Sequence, residues 1–279
     1  MATQALEKAF QLASERYGEI GVDVEGALTA LNTIALSLHC WQADDVGGFE
    51  TAESGLGGGL AVTGNYPGKA RTVEEVRADL EMALSLIPGR HRVNLHAIYG
   101  EFGGKKVERD AIGPEHFSGW IDWARGQGVG LDFNATCFSH PLAADGFTLS
   151  HRDAGVRAFW IEHVKCCREI GAAMGCELGA PAVHNLWIPD GAKDETLDRL
   201  AHRQWLMSSL AAIYAEDFPA EHLKDSVESK LFGIGSEAFV VGSFEFYLGW
   251  ALANKKMICL DMGHFHPTES VADKVGALL

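Results

Sequence analysis

The chain has 279 residues, 47% hydrophobic and 22% charged, with 23 basic against 38 acidic residues and a formal net charge of -15. That is enough apolar material for one large α/β domain or two small ones. The acidic balance disfavours a polyanionic partner such as nucleic acid, whose binding is driven by lysine and arginine, and no basic run occurs. Six cysteines (Cys40, Cys137, Cys166, Cys167, Cys176 and Cys259) form no C-x-x-C pair and lie mostly in apolar patterns. They point to a reducing, cytoplasmic compartment rather than a disulfide scaffold. The first ten residues contain Glu7 and Lys8 and no apolar h-region, so no secretory signal is expected. No apolar run reaches the length of a membrane span, so no membrane partner is expected either.

Residues 4–17 and 23–32 read as two short helices, an N-terminal helical cap over 1–34. From residue 35 to 279 a strand-then-helix order repeats. Ala35 to Trp41 is strand-like. Val73 to Ile87 has helical spacing, with Val76, Leu80, Ala83, Leu84 and Ile87 on one face, and ends at Pro88-Gly89. Strands are expected at Val93–Tyr99, Val129–Phe133, Val183–Ile188, Leu223–Leu231 and Met257–Asp261. Helices are expected at 115–126, Ala154–Met174, Leu197–Ala215, Ala238–Ala253 and from about Thr268. Such alternation implies a parallel sheet with helices outside it. Short strands in regular order favour a (β/α)8 TIM-barrel type over an open doubly wound sheet. About six βα units are present where eight are needed, so the barrel is expected to be incomplete.

In barrels of this type the active site lies at the C-terminal ends of the strands. The polar and aromatic residues there are His39, Trp41, His96, Asp132, Asn134, Trp187, Asp190, Glu228, Lys230, Asp261 and His264. Glu228, Asp261 and His264 are oxygen and nitrogen ligands suited to a hard or borderline divalent cation, although such ions take more than three ligands. Glu228 and Lys230 lie two apart on the expected strand, so their side chains are expected on the same face. The pair reads either as an ion pair at a barrel rim or as a metal ligand beside an acid, base or charge-stabilising lysine. A lone His96 on an apolar strand reads as a hydrogen-bonded core residue or a site residue. Trp41 and Trp187 read as core aromatics or as the flat wall of a sugar pocket.

Two motifs fail on inspection. Gly64-Asn65-Tyr66-Pro67-Gly68-Lys69-Ala70 is one residue short of a phosphate loop and has Ala70 where Ser or Thr must hold magnesium. Gly55-Leu56-Gly57-Gly58-Gly59 lacks the third glycine of a dinucleotide fingerprint. Both read as loops over the barrel mouth. His163 and Cys167 stand four apart on a helix without the partners a Cys/His metal site needs.

Taken together, several segments closely resemble bacterial L-rhamnose isomerases, which are metal-dependent aldose–ketose isomerases. They are Leu38-His39-Cys40-Trp41-Gln42, Thr63 to Arg71, Asn94 to Tyr99, Leu131-Asp132-Phe133-Asn134, Phe138-Ser139-His140-Pro141, Trp187 to Gly191, Val227 to Gly235 and Gly263 to Glu269, all in family order. The resemblance implies a (β/α)8 barrel, Mn2+ as cofactor, interconversion of L-rhamnose and L-rhamnulose, a cytoplasmic location and a homotetramer. It makes Glu228 and Asp261 ligands of a structural metal and His264 a ligand of the catalytic metal. It places Lys230 beside the reacting carbons, and His96 and Trp187 around the sugar; Trp41 is assigned to the sugar pocket with them. Family chains continue beyond the equivalent of Leu279 with further histidine and aspartate ligands, including an Asp-x-Asp pair, so a C-terminally truncated copy is expected. The competing expectations are another metal-dependent sugar epimerase or aldolase, and a non-catalytic truncated remnant.

Overall fold

The computed structural model describes residues 2–50, 67–194, 196–230 and 238–279. The glycine run from Gly55 and the Gly64-Asn65-Tyr66 part of the phosphate-loop-like segment lie outside the described residues. Two helices come first, α1 (Ala2–Glu19) and α2 (Val24–Leu31). Asp23 caps α2 by accepting from Gly26 N at 3.0 Å. The two helices touch each other, and α2 buries no residue. Leu6, Phe10, Leu12, Tyr17, Leu28 and Leu31 stay exposed on them.

The strands follow in chain order: β1 (Ala35–His39), β2 (Arg90–His96), β3 (Gly130–Asn134), β4 (Ala182–Leu186), β5 (Gly191–Ala192), β6 (Leu223–Glu228), β7 (Phe239–Val240) and β8 (Met257–Cys259). Six of them form one parallel sheet in the order β1-β2-β3-β4-β6-β8. Every neighbour in that sheet is also the next full βα unit along the chain, the topology of a barrel rather than of a doubly wound sheet. The helices between are α3 (Val73–Leu86), α4 (Ser118–Gln127), α5 (Ala154–Leu178), α6 (Arg199–Ile213), α7 (Phe244–Asn254) and α8 (Val271–Leu278). β1 and β8 sit at opposite edges of the described sheet, yet His39 at the end of β1 and Trp41 just beyond it line the same cavity as Cys259 at the end of β8 and Asp261 just beyond it. The sheet therefore curls as an incomplete (β/α) barrel does.

The core lies between the sheet and its helices. Leu95, Leu131, Phe133, Leu186 and Val227 from the strands meet Trp120, Trp160, Val164, Ile170 and Leu210 from the helices, all buried. Helix α5 packs close because Gly171 and Gly175 lack side chains. A Cβ at Gly175 would collide with the His222 carbonyl oxygen, and one at Gly171 would press on Leu223. α5 ends at Gly179, whose φ of 67° is the left-handed cap that glycine accepts without strain.

Some boundaries differ from the sequence expectation. The helix expected from Ala238 starts at Phe244, because Phe239-Val240-Val241 favours extended backbone. That stretch pairs antiparallel with β5 through Gly191↔Val240 and Ala192↔Phe239. The helix expected from residue 115 opens with a 3-10 turn, Pro114–Phe117, and becomes α-helical at Ser118. The strand expected to run to Leu231 stops at Glu228. All six cysteines are free thiols. Among the described residues, no helix is long and apolar enough to cross a membrane.

Candidate active site

The C-terminal ends of the six parallel strands open onto a cavity of about 440 Å³. Residues of alternating parity reach it: His39 and Trp41, Asn94 and His96, Asn134, Asn185 and Trp187, Glu228, Cys259 and Asp261. The strand period of two turns Asn94 and His96 to one side, and the other pairs keep that parity one or two residues past their strand ends. Phe138, Gly263 and His264 complete the lining.

One wall is aromatic. The His39 and Trp41 rings stack at 3.9 Å, Trp41 and His96 at 4.7 Å, and Phe138 meets His96 and Trp187 edge-on at 5.8 and 6.0 Å. Thr136 Oγ1 lies 3.3 Å from His96 Nδ1. Burial lowers the proton affinity of both imidazoles. His39 falls to about 4, and His96 falls well below its ordinary value, helped by His39 and Arg109. Both rings are therefore neutral hydrogen-bonding groups at neutral pH.

The opposite wall carries the charge. Donor atoms of Glu228, Asp261 and His264 lie within 4.8 Å of one another. His264 stands between the carboxylates, its Nδ1 3.3 Å from Glu228 Oε1 and its Nε2 3.3 Å from Asp261 Oδ2. The chain folds this way because Asp261 caps the 3-10 turn Met262–His264, its Oδ1 accepting from Gly263 N at 2.7 Å. Glu228 Oε2 accepts from Asn185 Nδ2 at 2.5 Å. Burial pushes the Glu228 carboxyl up to about 7; the Asp261 charge adds to this and the Asn185 hydrogen bond opposes it. Burial, then Glu228 and Asp261, push the Cys259 thiol up to about 12, so it lines the cavity as a neutral thiol.

These residues fit a divalent cation. The set is hard and mixed, two carboxylates with an imidazole and no thiolate. Two carboxyl groups held this close, one of them buried, are a poor arrangement by themselves and a good one around positive charge. The His264 Nδ1 atom is buried and, although 3.3 Å from Glu228 Oε1, is not aligned for a hydrogen bond with it or with any other described residue, as a ligand atom would be.

Six of the seven residues singled out from the sequence thus share one cavity: Trp41, His96, Trp187, Glu228, Asp261 and His264. Lys230 does not line it. With β6 ended at Glu228, the chain turns away, Lys230 N donates to Gly242 O at 3.0 Å, and its Nζ donates to Pro189 O at 2.6 Å. Lys230 is buried on the wall of a second, larger cavity of about 820 Å³, and Gly263 and His264 line both.

Two of the strand-end acids do not reach the mouth. Asp132 is consumed inside the sheet by Arg92 (2.8 and 2.9 Å), Ser37 Oγ (2.6 Å) and Val183 N (2.8 Å). Asp190 accepts four hydrogen bonds from the backbone and hydroxyls of Thr148 and Ser150. Conversely, Asn185 was passed over in the sequence. Its signal is parity: it stands on β4 two residues before Trp187, which follows the strand end.

A curled parallel sheet with a carboxylate–imidazole cluster and an aromatic wall at its C-terminal edge defines a (β/α)-barrel protein with a possible metal-binding site. Within that class, the chain belongs to the L-rhamnose isomerase family. The family model described as L-rhamnose isomerase (RhaA) matches residues 4–279. A protein of Rhodopirellula baltica named L-rhamnose isomerase is 59% identical over 274 residues, covering 98% of this chain and 64% of its own length. One of the same name from Salmonella paratyphi B is 57% identical over 279 residues, covering 100% of this chain and 66% of its own length. The chain therefore spans slightly less than two thirds of the length of these curated relatives.

Proposed function

We propose that the chain carries the metal-binding and sugar-binding part of an L-rhamnose isomerase, interconverting L-rhamnose and L-rhamnulose with Mn2+. The observation that supports this most is a concentration of unpartnered polar atoms. His39 Nδ1, Asn185 Oδ1, Trp187 Nε1 and His264 Nδ1 are each buried without a hydrogen-bond partner among the described residues, and all four residues line the one cavity. Buried polar atoms find partners in folded proteins. A polyhydroxylated ligand beside a cation supplies both kinds at once.

Glu228 and Asp261 hold a structural cation in this reading, and His264 a catalytic one. When bound, the metal polarises the sugar carbonyl as a Lewis acid. The chain's own groups do the rest. Trp41, Phe138 and Trp187 give the sugar a flat apolar bed and narrow its orientations. Neutral His96, steadied by Thr136, hydrogen-bonds a sugar oxygen. Asn185 holds Glu228 with its amide and offers its free carbonyl oxygen to a hydroxyl. Lys230 approaches from the adjoining cavity across His264, and its ammonium stabilises negative charge on O1 as the carbonyl moves between C1 and C2. The protein works in the cytoplasm as a homotetramer, with a small sugar and no nucleic acid or membrane as partner.

The test is product identification. The protein is incubated with Mn2+ and each of L-rhamnose, other aldohexoses and ketose phosphates, and the products are separated by chromatography. L-rhamnulose from L-rhamnose supports the isomerase. A C2 or C3 epimer points to an epimerase, cleavage to three-carbon products points to an aldolase, and no product from any sugar points to a non-catalytic remnant.

A further inference from the structure

The turn that follows β3 carries Phe138 into the cavity wall and Thr136 behind it, against His96. Phe138 is an edge-on partner of His96 and Trp187, and Thr136 meets His96 Nδ1. Ser139, which ends the turn, has a φ of 51°, a left-handed conformation that costs a non-glycine residue free energy unless the surroundings enforce it.

Arg109 enforces it. It lies in the 3-10 turn Arg109–Ala111, before α4, with only 2% of its surface exposed. Its Nη1 donates to Thr136 O at 2.6 Å and Phe138 O at 2.5 Å, and its Nη2 donates to Ser139 O at 3.1 Å. The remaining donors go to one carboxylate: Nε to Glu50 Oε1 and Nη2 to Glu50 Oε2, both at 2.9 Å. A planar guanidinium has the rigid fork that such a divided task requires, and a lysine does not.

The buried His163 ties the same two segments by their backbones. Thr136 N donates to His163 Nε2 at 3.1 Å, which fixes that nitrogen as the acceptor. The proton is therefore on Nδ1, which donates to Arg109 O at 2.8 Å. Burial, with the Arg109 charge adding, lowers His163 to about 3 and keeps it in this neutral form.

We propose that Arg109, seated by Glu50 and His163, is a positioning residue. It fixes the turn over 136–139 so that Phe138 and, through Thr136, His96 stand where the sugar is held. The proposal rests on the sugar-site reading of the cavity. It deepens that reading by placing sugar orientation under a side chain that never touches the sugar.

Two variants test it, Arg109→Lys and Thr136→Val, each read by amide hydrogen exchange over 135–139 and by steady-state kinetics on L-rhamnose with Mn2+. Arg109→Lys keeps the positive charge opposite Glu50 but not the three-carbonyl fork. It is expected to speed exchange over 135–139 and to raise KM by about tenfold while kcat changes less than about threefold, the pattern of weakened binding contacts with the chemical step left intact. Thr136→Val keeps the fork and the fold and cuts only the contact to His96. It is expected to raise KM with exchange as in the wild type, and it still decides the matter if Arg109→Lys does not fold. Wild-type KM in a folded Arg109→Lys protein overturns the proposal, whether or not exchange rises, and so does wild-type KM in Thr136→Val. If the wild-type protein converts no L-rhamnose, the isomerase reading fails instead. Exchange over 135–139 in Arg109→Lys, which needs no substrate, then still decides whether Arg109 fixes the turn.

Discussion

Asn185 and Glu228 meet across neighbouring strands: the Asn185 amide donates to Glu228 Oε2 at 2.5 Å, while its own Oδ1 is buried with no partner among the described residues. One small side chain thus orients a carboxylate of the charged wall and presents an acceptor to the cavity. Groups that hold a metal ligand in place are worth roughly 10–100-fold in metal affinity or activity. Asn185→Asp sets a second carboxylate against Glu228 where a donor stood. It is expected to raise the Mn2+ concentration for half-maximal activity by about tenfold or more, measured as an activation curve after chelation. An unshifted curve would show that Glu228 needs no such orienting.

In the proposed function Lys230 acts on charge that develops during the reaction, so its loss should fall on turnover rather than binding. Lys230→Met is expected to lower kcat by about 100-fold or more while KM moves less than about threefold, the pattern of a lost transition-state interaction. A normal kcat with weakened binding would assign Lys230 to holding substrate. Loss of both together with loss of folded protein, seen by circular dichroism, would assign it to the hydrogen bond with Pro189.

Asp225 anchors the inner end of β6. Arg168 grips it bidentately at 2.9 and 3.0 Å, Lys256 adds an ion pair at 2.9 Å, and Arg168 is itself fully buried. Burial works against the Asp225 charge, but His184 and Arg168 outweigh it and hold the carboxyl well below the usual range. A carboxyl depressed in the folded state contributes stability that is fully present above its unfolded value, about 4, and is lost as pH falls below it. Asp225→Asn leaves the guanidinium buried without its counter-charge and is expected to cost about 3–5 kcal/mol at pH 7. In denaturant titrations the gap between wild type and variant should narrow as pH drops from 5 to about 3. A gap that is constant with pH would contradict the assignment.

Gly175 is the point where α5 touches the segment leading into β6, and any Cβ there strikes the His222 backbone. Gly175→Ala, harmless by helix propensity alone, is expected to destabilise by about 1–3 kcal/mol, because backbone cannot yield as a side chain can. Thermal melts at neutral pH measure it; an unchanged or raised midpoint would show that α5 shifts freely.

The parallel order of strands and helices was legible because it rests on local periodicity repeated many times, and most of the site was legible because strand parity carries its residues to one face. His96 and Glu228 end their strands and follow that rule directly, Trp41, Trp187 and Asp261 lie one or two residues past a strand end and keep its parity, and His264 is brought in instead by the 3-10 turn Met262–His264. Lys230 escaped it because β6 stops at Glu228, and the stop is set by a distant partner, the Gly242 carbonyl. The β5–β7 pairing escaped for the same reason: two residues on each side are too few for any period, and the pairing spans from Gly191 to Val240. Asp132 and Asp190 stood in the right place for a site, and only the long-range donors that occupy them, Arg92, Ser37, Thr148 and Ser150, remove them from it. Arg109 gave no signal at all, since its importance lies in three carbonyls of a turn elsewhere in the chain.

The measurement that bears most directly on the assignment is ketose formation from L-rhamnose by chelator-treated protein as divalent ions are returned one at a time. The carboxylate–imidazole set at Glu228, Asp261 and His264 predicts no L-rhamnulose in excess chelator and the greatest recovery with Mn2+. Undiminished turnover in excess chelator, or no L-rhamnulose with any ion, would contradict it.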